Sequence, residues 1–482
     1  MTGRWWALVA VALATFMTYL DNNVVNVALP TIQRDLGLTI SGLEWIVSAY
    51  ILVFAGLLLV GGRLADVFGL RTVFFTGLGI FTLASVAAGL AGGQEMLIAA
   101  RAVQGVGAAL LTPTSLALLT KIFPDPRERG TAVGIWSAVG ALALAIGPLT
   151  GGVLSENADW GWIFLINAPI GAVTAVIGFR SIRAQGAHAA KAARARLDLP
   201  GLVTSALALL ALTYALIEGE SRGWSSAPIL GSFALAAVAA VAFLIIESRT
   251  AQPMIDLTLF RERIFSGGLL SMGLWAFGVF GIYFFTALFL QSALGFTPTQ
   301  AGAGFVPMAL LMAMIAIVSP RIAARFGSAR TVAAGLGLMA IAVGGLSSVG
   351  EGDGYTDLLP WFLLYGAGAG LLVPLTNLVL SAMPSARAGV ASGVLNVSRE
   401  VFGLLGITIL GAILNSRESV VTGAPLHRFL EAYQFTLLVA AAIVLVGVPV
   451  SLYALRQART AAPSVEGQAE APMAPAVSES LA

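Results

Sequence analysis

The chain has 482 residues, 58% of them hydrophobic and 10% charged, with a net charge of +2 and a mean hydropathy of +0.91. A soluble domain carries about 25% charged residues, and no water-soluble fold hides this much apolar surface, so the composition defines an all-α polytopic membrane protein. Cysteine is absent, which excludes disulfides and thiolate metal sites, and the small basic excess lies in loops and does not argue for nucleic acid.

Apolar runs of about 20 residues, enough to cross a bilayer, are predicted at 5–29, 43–61, 72–92, 95–119, 131–154, 161–179, 199–218, 228–246, 265–290, 299–319, 331–349, 358–382, 390–414 and 434–455. These are fourteen spans; the seventh and eighth are short enough to be re-entrant. With the N-terminus in the cytoplasm, twenty of the 26 Lys and Arg fall in cytoplasmic segments and four in outer ones, while Arg101 and Arg399 lie within spans. That bias is what the positive-inside rule requires, so the protein is expected in the cytoplasmic (inner) membrane with both termini cytoplasmic. The first span is too long and too poorly ended for a cleaved signal peptide. Residues 457–482, rich in Ala, Pro, Ser and Glu, read as a disordered cytoplasmic tail. His188 and His427 occupy loops on opposite faces, so no metal is expected.

Span 1 ends "YLDNNVVNVALP". Asp21 lies nine residues before Pro30, roughly 13 Å from the outer end at ~1.5 Å per residue. Span 4 holds Arg101 six residues after Glu95, roughly 9 Å deep by the same rise. An arginine inside a span costs about 2.5–3.5 kcal/mol on insertion scales, so it must be paired, hydrated or useful. Opposite charges at comparable depth make Asp21 a candidate proton carrier: desolvation favours a neutral acid and a neighbouring cation favours an ionised one. The competing reading is a permanent ion pair that locks two helices. Asn22 and Asn26 share a helix face and Asn23 is expected to point elsewhere; these amides either line a cavity or glue helices together. Gln104 and Trp136 are further candidates for cavity lining.

The loop after span 2, "GGRLADVFGLR", is tight and charged. Gly62, Asp66, Gly69 and Arg71 form a candidate conformational latch as well as a topology-setting loop. Span 5 carries Gly134, Gly140, Gly147, Pro148, Gly151 and Gly152. Small residues let membrane helices pack backbone to backbone and proline bends them, which suits either a seal sliding against the opposite bundle or ordinary tight packing. Span 9 is dense in aromatics, with Trp275, Tyr283 and Phe284 as candidate lining for a cavity that takes aromatic or cationic organics, or as lipid-facing groups. Span 13 brings Glu400 to about 16 Å depth, a second candidate proton site. Arg399, about 100° away on the helix, is expected to be a poor partner for it.

Three segments recur in the same order: "RLADVFG" (63–69) with "RIAARFG" (321–327), "GVGAALLTP" (105–113) with "GAGAGLLVP" (366–374), and "GTAVG" (130–134) with "GVASG" (389–393). Each offset crosses eight spans, so both copies keep one orientation, a parallel repeat of the kind found in secondary transporters. The predicted organisation is a six-helix bundle (1–183), linkers with two additional helices (184–263), a second six-helix bundle (264–456) and the tail (457–482). The copies differ where charge is concerned: Asp66 aligns with Ala324, and Arg101 with Phe362. Lys121 follows Thr120 and Lys191 follows Ala190, so no phosphate loop is present, and neither a hydrolase elbow nor a metal-ligand cluster is visible. The chain is not expected to be an enzyme.

In order and spacing these motifs resemble the major facilitator superfamily, most closely its fourteen-helix drug:proton antiporter branch. The resemblance rests on "LDNNVVNVALP" in span 1, on Gly62, Leu64, Asp66, Gly69 and Arg71, on Arg101, Gln104, Gly105 and Gly107, and on Gly147, Pro148, Gly151 and Gly152. Asn23 stands where threonine is common, Val67 and Leu70 where the family is usually basic, and Glu400 where this branch more often has glutamine. The resemblance implies the major facilitator fold, proton coupling through Asp21 and Arg101, and export by alternating access driven by the proton gradient. Its expected partners are a small organic substrate, protons and the lipid bilayer, with no cofactor, ATPase subunit or nucleic acid. Export of one endogenous metabolite or antibiotic, and a membrane sensor or scaffold that moves nothing, remain as alternatives.

Overall fold

The computed structural model describes residues 3–182, 198–250, 253, 255–350, 352–383 and 388–456. The basic stretch 183–197 and the tail predicted for 457–482 lie outside these, as does the side chain of Asp66. Among the described residues, fourteen helices are long and apolar enough to cross a membrane. They are α1 (Gly3–Leu36), α2 (Ile40–Ala65), α3 (Leu70–Gly89), α4 (Gln94–Ile122), α5 (Arg127–Asn157), α6 (Trp162–Ser181) and α7 (Leu199–Arg222). The others are α8 (Ala227–Arg249), α9 (Arg263–Ser292), α10 (Pro298–Phe326), α11 (Ser328–Leu346), α12 (Tyr355–Leu380), α13 (Ala391–Val420) and α14 (Pro425–Ala454).

Most helices run a few residues past the predicted apolar runs, and α1, α7 and α8 are the cases that matter here. Helix α1 does not stop at Pro30 but continues through it to Leu36, because Pro30 and its neighbours are buried against other helices that outweigh one lost backbone bond. Asp21 therefore sits deeper than the sequence suggested. Helices α7 and α8 are 24 and 23 residues long and run the full span. The polar turn "IEGESR" extends α7 beyond its apolar run, where hydropathy alone truncates it.

The repeat is visible in the packing. Helix α4 lies against α2 and α3, and α1 against α5; eight helices later α12 lies against α10 and α11, and α9 against α13. Glycines mediate the corresponding contacts. A Cβ on Gly105 would meet the Tyr50 carbonyl of α2, and one on Gly366 the Met308 carbonyl of α10. Gly107 and Gly368 face the backbones of α3 and α11 in the same way. The turns match too: Gly69 at φ 87° and Gly327 at φ 91° adopt a left-handed backbone that other residues avoid.

We call the end where α1 begins the N-face and the opposite end the far face. The bundles meet tightly in the far-face half. Gly152 of α5 abuts the Pro298 carbonyl of α10, and Gly302 abuts that of Pro148. The Thr299 backbone N–H donates to Glu156 at 2.9 Å, and Gln291 of α9 donates to the Val27 carbonyl of α1 at 2.7 Å. In the N-face half of α5, Gly130 and Gly134 face nothing within 4 Å. Helix α7 packs on both α2 and α13, so the additional pair flanks the seam between bundles.

Candidate functional site

Asp21 and Arg101 meet inside the first bundle. The Arg101 Nη1 donates to Asp21 Oδ2 at 2.6 Å, and both side chains are completely shielded from solvent. The second carboxylate oxygen accepts from Gln104 Nε2 at 2.7 Å and from Asn167 Nδ2 of α6 at 2.9 Å. Gln104 and Asn167 also donate to Ser85 Oγ of α3, at 2.6 and 3.1 Å. Arg101 further donates to the Gln104 amide oxygen at 2.8 Å and to the Ile46 carbonyl at 3.2 Å. Its guanidinium lies 4.3 Å from the ring centroid of Tyr50, within cation–π range. One carboxylate thus gathers groups from α1, α3, α4 and α6, with α2 behind the arginine.

Charge-assisted bonds in a dry interior are strong, but taking both ions out of water is costly. The net stability of such a pair is small, while removing one partner costs about 3–5 kcal/mol. The arrangement is therefore poor glue, and what it holds together depends on the one carboxylate on which α4 and α6 converge.

Gln104, expected in the substrate cavity, is instead a fully buried member of this cluster, because its i+3 position from Arg101 turns it toward Asp21. Sequence reading missed Ser85, Asn167 and Tyr50. The available signal was weak: Asn167 is an amide inside the apolar run "WIFLINAPIG", and serine and tyrosine occur in many spans without function.

Glu400 is fully buried on α13. Contrary to expectation, Arg399 is its partner, with Nε donating to Glu400 Oε1 at 2.9 Å. An arginine is long enough to curl around the 100° between adjacent residues. Glu400 Oε2 has no hydrogen-bond partner, and Arg399 also lies against Tyr19 of α1. Tyr50 is within electrostatic reach of Asp21, Arg101 and Glu400 together, so the two candidate proton sites flank one tyrosine across the seam.

Asn22, Asn23 and Asn26 of α1 border one small cavity with Val279, Phe280 and Tyr283 of α9. Asn23 does not point elsewhere as expected, since a cavity wall can span the 100° between consecutive residues; its amide donates to the Tyr19 carbonyl at 2.8 Å. The cavity holds about 20 Å³, against 300–1,000 Å³ for a drug-sized ligand, so the space between bundles is shut here. Tyr283 stacks on Phe305 at 4.9 Å. Phe284 does not line the cavity: it is fully buried edge-on to Phe285, about 100° around α9 from Tyr283. Trp136 donates to Thr15 at 2.7 Å, tying α5 to α1, and Trp275 packs at the edge of the hydrophobic core.

The α5 motif serves two contacts. A Cβ on Gly147 or Gly151 would strike Asn23 or the Val24 carbonyl of α1, whereas Pro148 and Gly152 form the far-face contact with α10. In the expected latch, Gly62 lies near Pro113 of α4. Arg71 packs on Phe75 and Phe179 of its own bundle and donates to the Phe179 carbonyl at 3.5 Å.

Two bundles related by a parallel repeat, with a buried ion pair in one and a cavity between them, define a secondary-transporter architecture. The model of the Major Facilitator Superfamily matches residues 11–407, and the chain belongs to that family. It is 39% identical over 418 residues to a methylenomycin A resistance protein of Streptomyces coelicolor, covering 86% of this chain and 87% of that one. It is 38% identical to a puromycin resistance protein of Streptomyces alboniger, covering 85% and 82%, and 35% identical to a tetracenomycin C resistance and export protein of Streptomyces glaucescens, covering 86% and 77%. Among solved structures, a bacterial homolog of the lysosomal transporter Spinster, inward-facing and unoccupied, superposes with a TM-score of 0.65 at 17% identity, covering 95% of this chain and 98% of that one. That likeness concerns the fold.

Proposed function

We propose that the protein is a proton-driven antiporter of the cytoplasmic membrane that exports amphipathic, toxic organic compounds by alternating access. The observation that carries this reading is the Asp21 carboxylate, solvent-free and bound by Arg101, Gln104 and Asn167. Ionised, it holds α4 and α6 on α1; protonated, it releases them, and the bundle can change its tilt against its partner. The charge bias of the loops supports a cytoplasmic N-face, and in that orientation the closed seam is the one toward the outside. Glu400, across the seam, is the second candidate carrier. The proton gradient supplies the energy, without cofactor or ATPase subunit.

Everted vesicles given a proton gradient should accumulate a cationic dye, and a protonophore should abolish the uptake. Asp21→Asn should stop coupled uptake while the protein still folds; full activity in that variant overturns the reading. A second reading, export of one endogenous compound, is favoured by relatives named for single antibiotics. A growth-inhibition panel of unrelated compounds in a pump-deficient host separates the two: resistance to one compound supports the second, resistance to several the first.

A further inference from the structure

Glu44 has no part in the site above. It is the fifth residue of α2, within ~7 Å of the helix end at ~1.5 Å per residue, yet its exposure is 0%. Neither carboxyl oxygen has a hydrogen-bond partner. What buries it is the seam. On one side Gly411 of α13 leaves so little room that a Cβ there would overlap Glu44 Oε1. On the other, α7 crosses from one bundle to the next. Ser41 and Trp45 of α2 donate to the Ile217 carbonyl and to Glu218 Oε1 of α7, at 3.3 and 3.1 Å. Ser416 of α13 donates to Glu220 of α7 at 2.9 Å. Helix α7 is thus a strap over the α2–α13 seam, and Glu44 lies beneath it.

The charged groups around Glu44 do not neutralise it. Glu218 of α7, within electrostatic reach, is a like charge and is itself paired with Arg222 at 3.2 Å. On α13, Arg417 is paired with Glu431 of α14 at 2.9 Å, and Glu418 is set against Arg428. Arg34 of α1 is held by Thr31. An ionised carboxylate without donor or counter-ion is not tolerated away from water. The same carboxyl, if the seam parts, faces far-side water, where an ionised glutamate is tolerated.

We propose that Glu44 is a further proton-binding site, distinct from Asp21 and Glu400, and that the far face closes only when Glu44 has taken a proton from the far side. The step is an addition of one proton to one carboxylate oxygen as α13 seats on α2; no other bond breaks. Closure then occludes one proton drawn from the far side, the first half of what exchange for an outgoing substrate requires, with α7 as the strap that covers it. The use of this proton rests on the antiport reading, but the closure itself does not.

Because the chain has no cysteine, Ile40→Cys with Val420→Cys places two spin labels across the α2–α13 seam without background. Inter-label distances are recorded on the full-length protein in nanodiscs between about pH 5 and pH 9, above the ordinary glutamate value. With Glu44 in place, the closed-to-open ratio should fall by up to tenfold per pH unit, the limit for one linked proton. In Glu44→Gln the seam should stay closed throughout, while Glu44→Asp should keep the response. Should an unpaired amide prevent folding, Glu44→Met keeps the length without polar atoms and should also stay closed. A pH response unchanged in Glu44→Gln or Glu44→Met overturns the proposal, as does a response that disappears only in Asp21→Asn. Loss of vesicle transport with an intact Glu44-dependent response overturns the antiport reading and leaves this one standing.

Discussion

The two bundles share a helix arrangement and differ in charge at corresponding positions, most deeply at Arg101 and Phe362. In the first, Arg101 draws Asp21, Gln104, Asn167 and Ser85 into a buried polar knot. In the second, Phe362 occupies the equivalent place, stacked on Phe305 at 5.6 Å and edge-on to Tyr355 at 6.4 Å. The backbones pack alike because the same glycines admit the same neighbours; the chemistry differs because duplicated positions differ in charge. Phe362 has no proton to gain or lose. The Asp21 carboxylate, bound from α4 and α6, can exist in two protonation states, and in the second bundle the buried acid lies elsewhere, at Glu400 of α13 beside Arg399.

The comparison breaks most sharply at Arg101. Arg101→Ala leaves Asp21 buried without its cation and should cost about 3–5 kcal/mol, visible as a large loss of thermal stability in detergent. Replacing the pair together, Asp21→Asn with Arg101→Met, should recover most of that stability, since apolar substitutes for buried ions are often neutral, and should still fail to couple uptake to protons. If the double variant transports normally, the two bundles do not differ in the way described.

At the far-face seam, Gly152→Ala sets a methyl group against the Pro298 carbonyl. Overpacking of this kind costs about 1–3 kcal/mol, and here it should appear as a far face biased open, read by labelling of single cysteines from outside. Gly69→Ala and Gly327→Ala test what the bundles share. Each forces a residue with a Cβ into a left-handed backbone, at about 1–2 kcal/mol, and thermal unfolding should report similar losses. A large inequality would mean the matching turns serve different ends. The smallest effect is expected for Ser85→Ala, which removes the acceptor for Gln104 and Asn167 at about 1 kcal/mol; coupled uptake should slow severalfold without being lost.

Residue by residue, legibility followed charge in an apolar setting. Asp21 and Arg101 stood out because ions in hydrocarbon are costly, and the repeat stood out because glycine and proline patterns survive where contacts demand them. Arg399 was misjudged because angular position ignores the reach of a flexible side chain. Phe284 and Gln104 were misplaced because helical periodicity does not say which neighbour a face meets. Glu44 was passed over because an acid four residues into a helix reads as an interfacial group.

Hydropathy, charge bias and repeated motifs are local properties of the chain, so the sequence by itself determined the fourteen spans, the two-bundle repeat and the charged pair. Tertiary structure alone decided which bundle face closes, that Asn167 and Ser85 complete the Asp21 site, and that α7 covers the seam over Glu44. Burial depends on what neighbouring helices bring to a residue. Those neighbours lie up to several hundred positions away in the chain, as Gly411 does from Glu44.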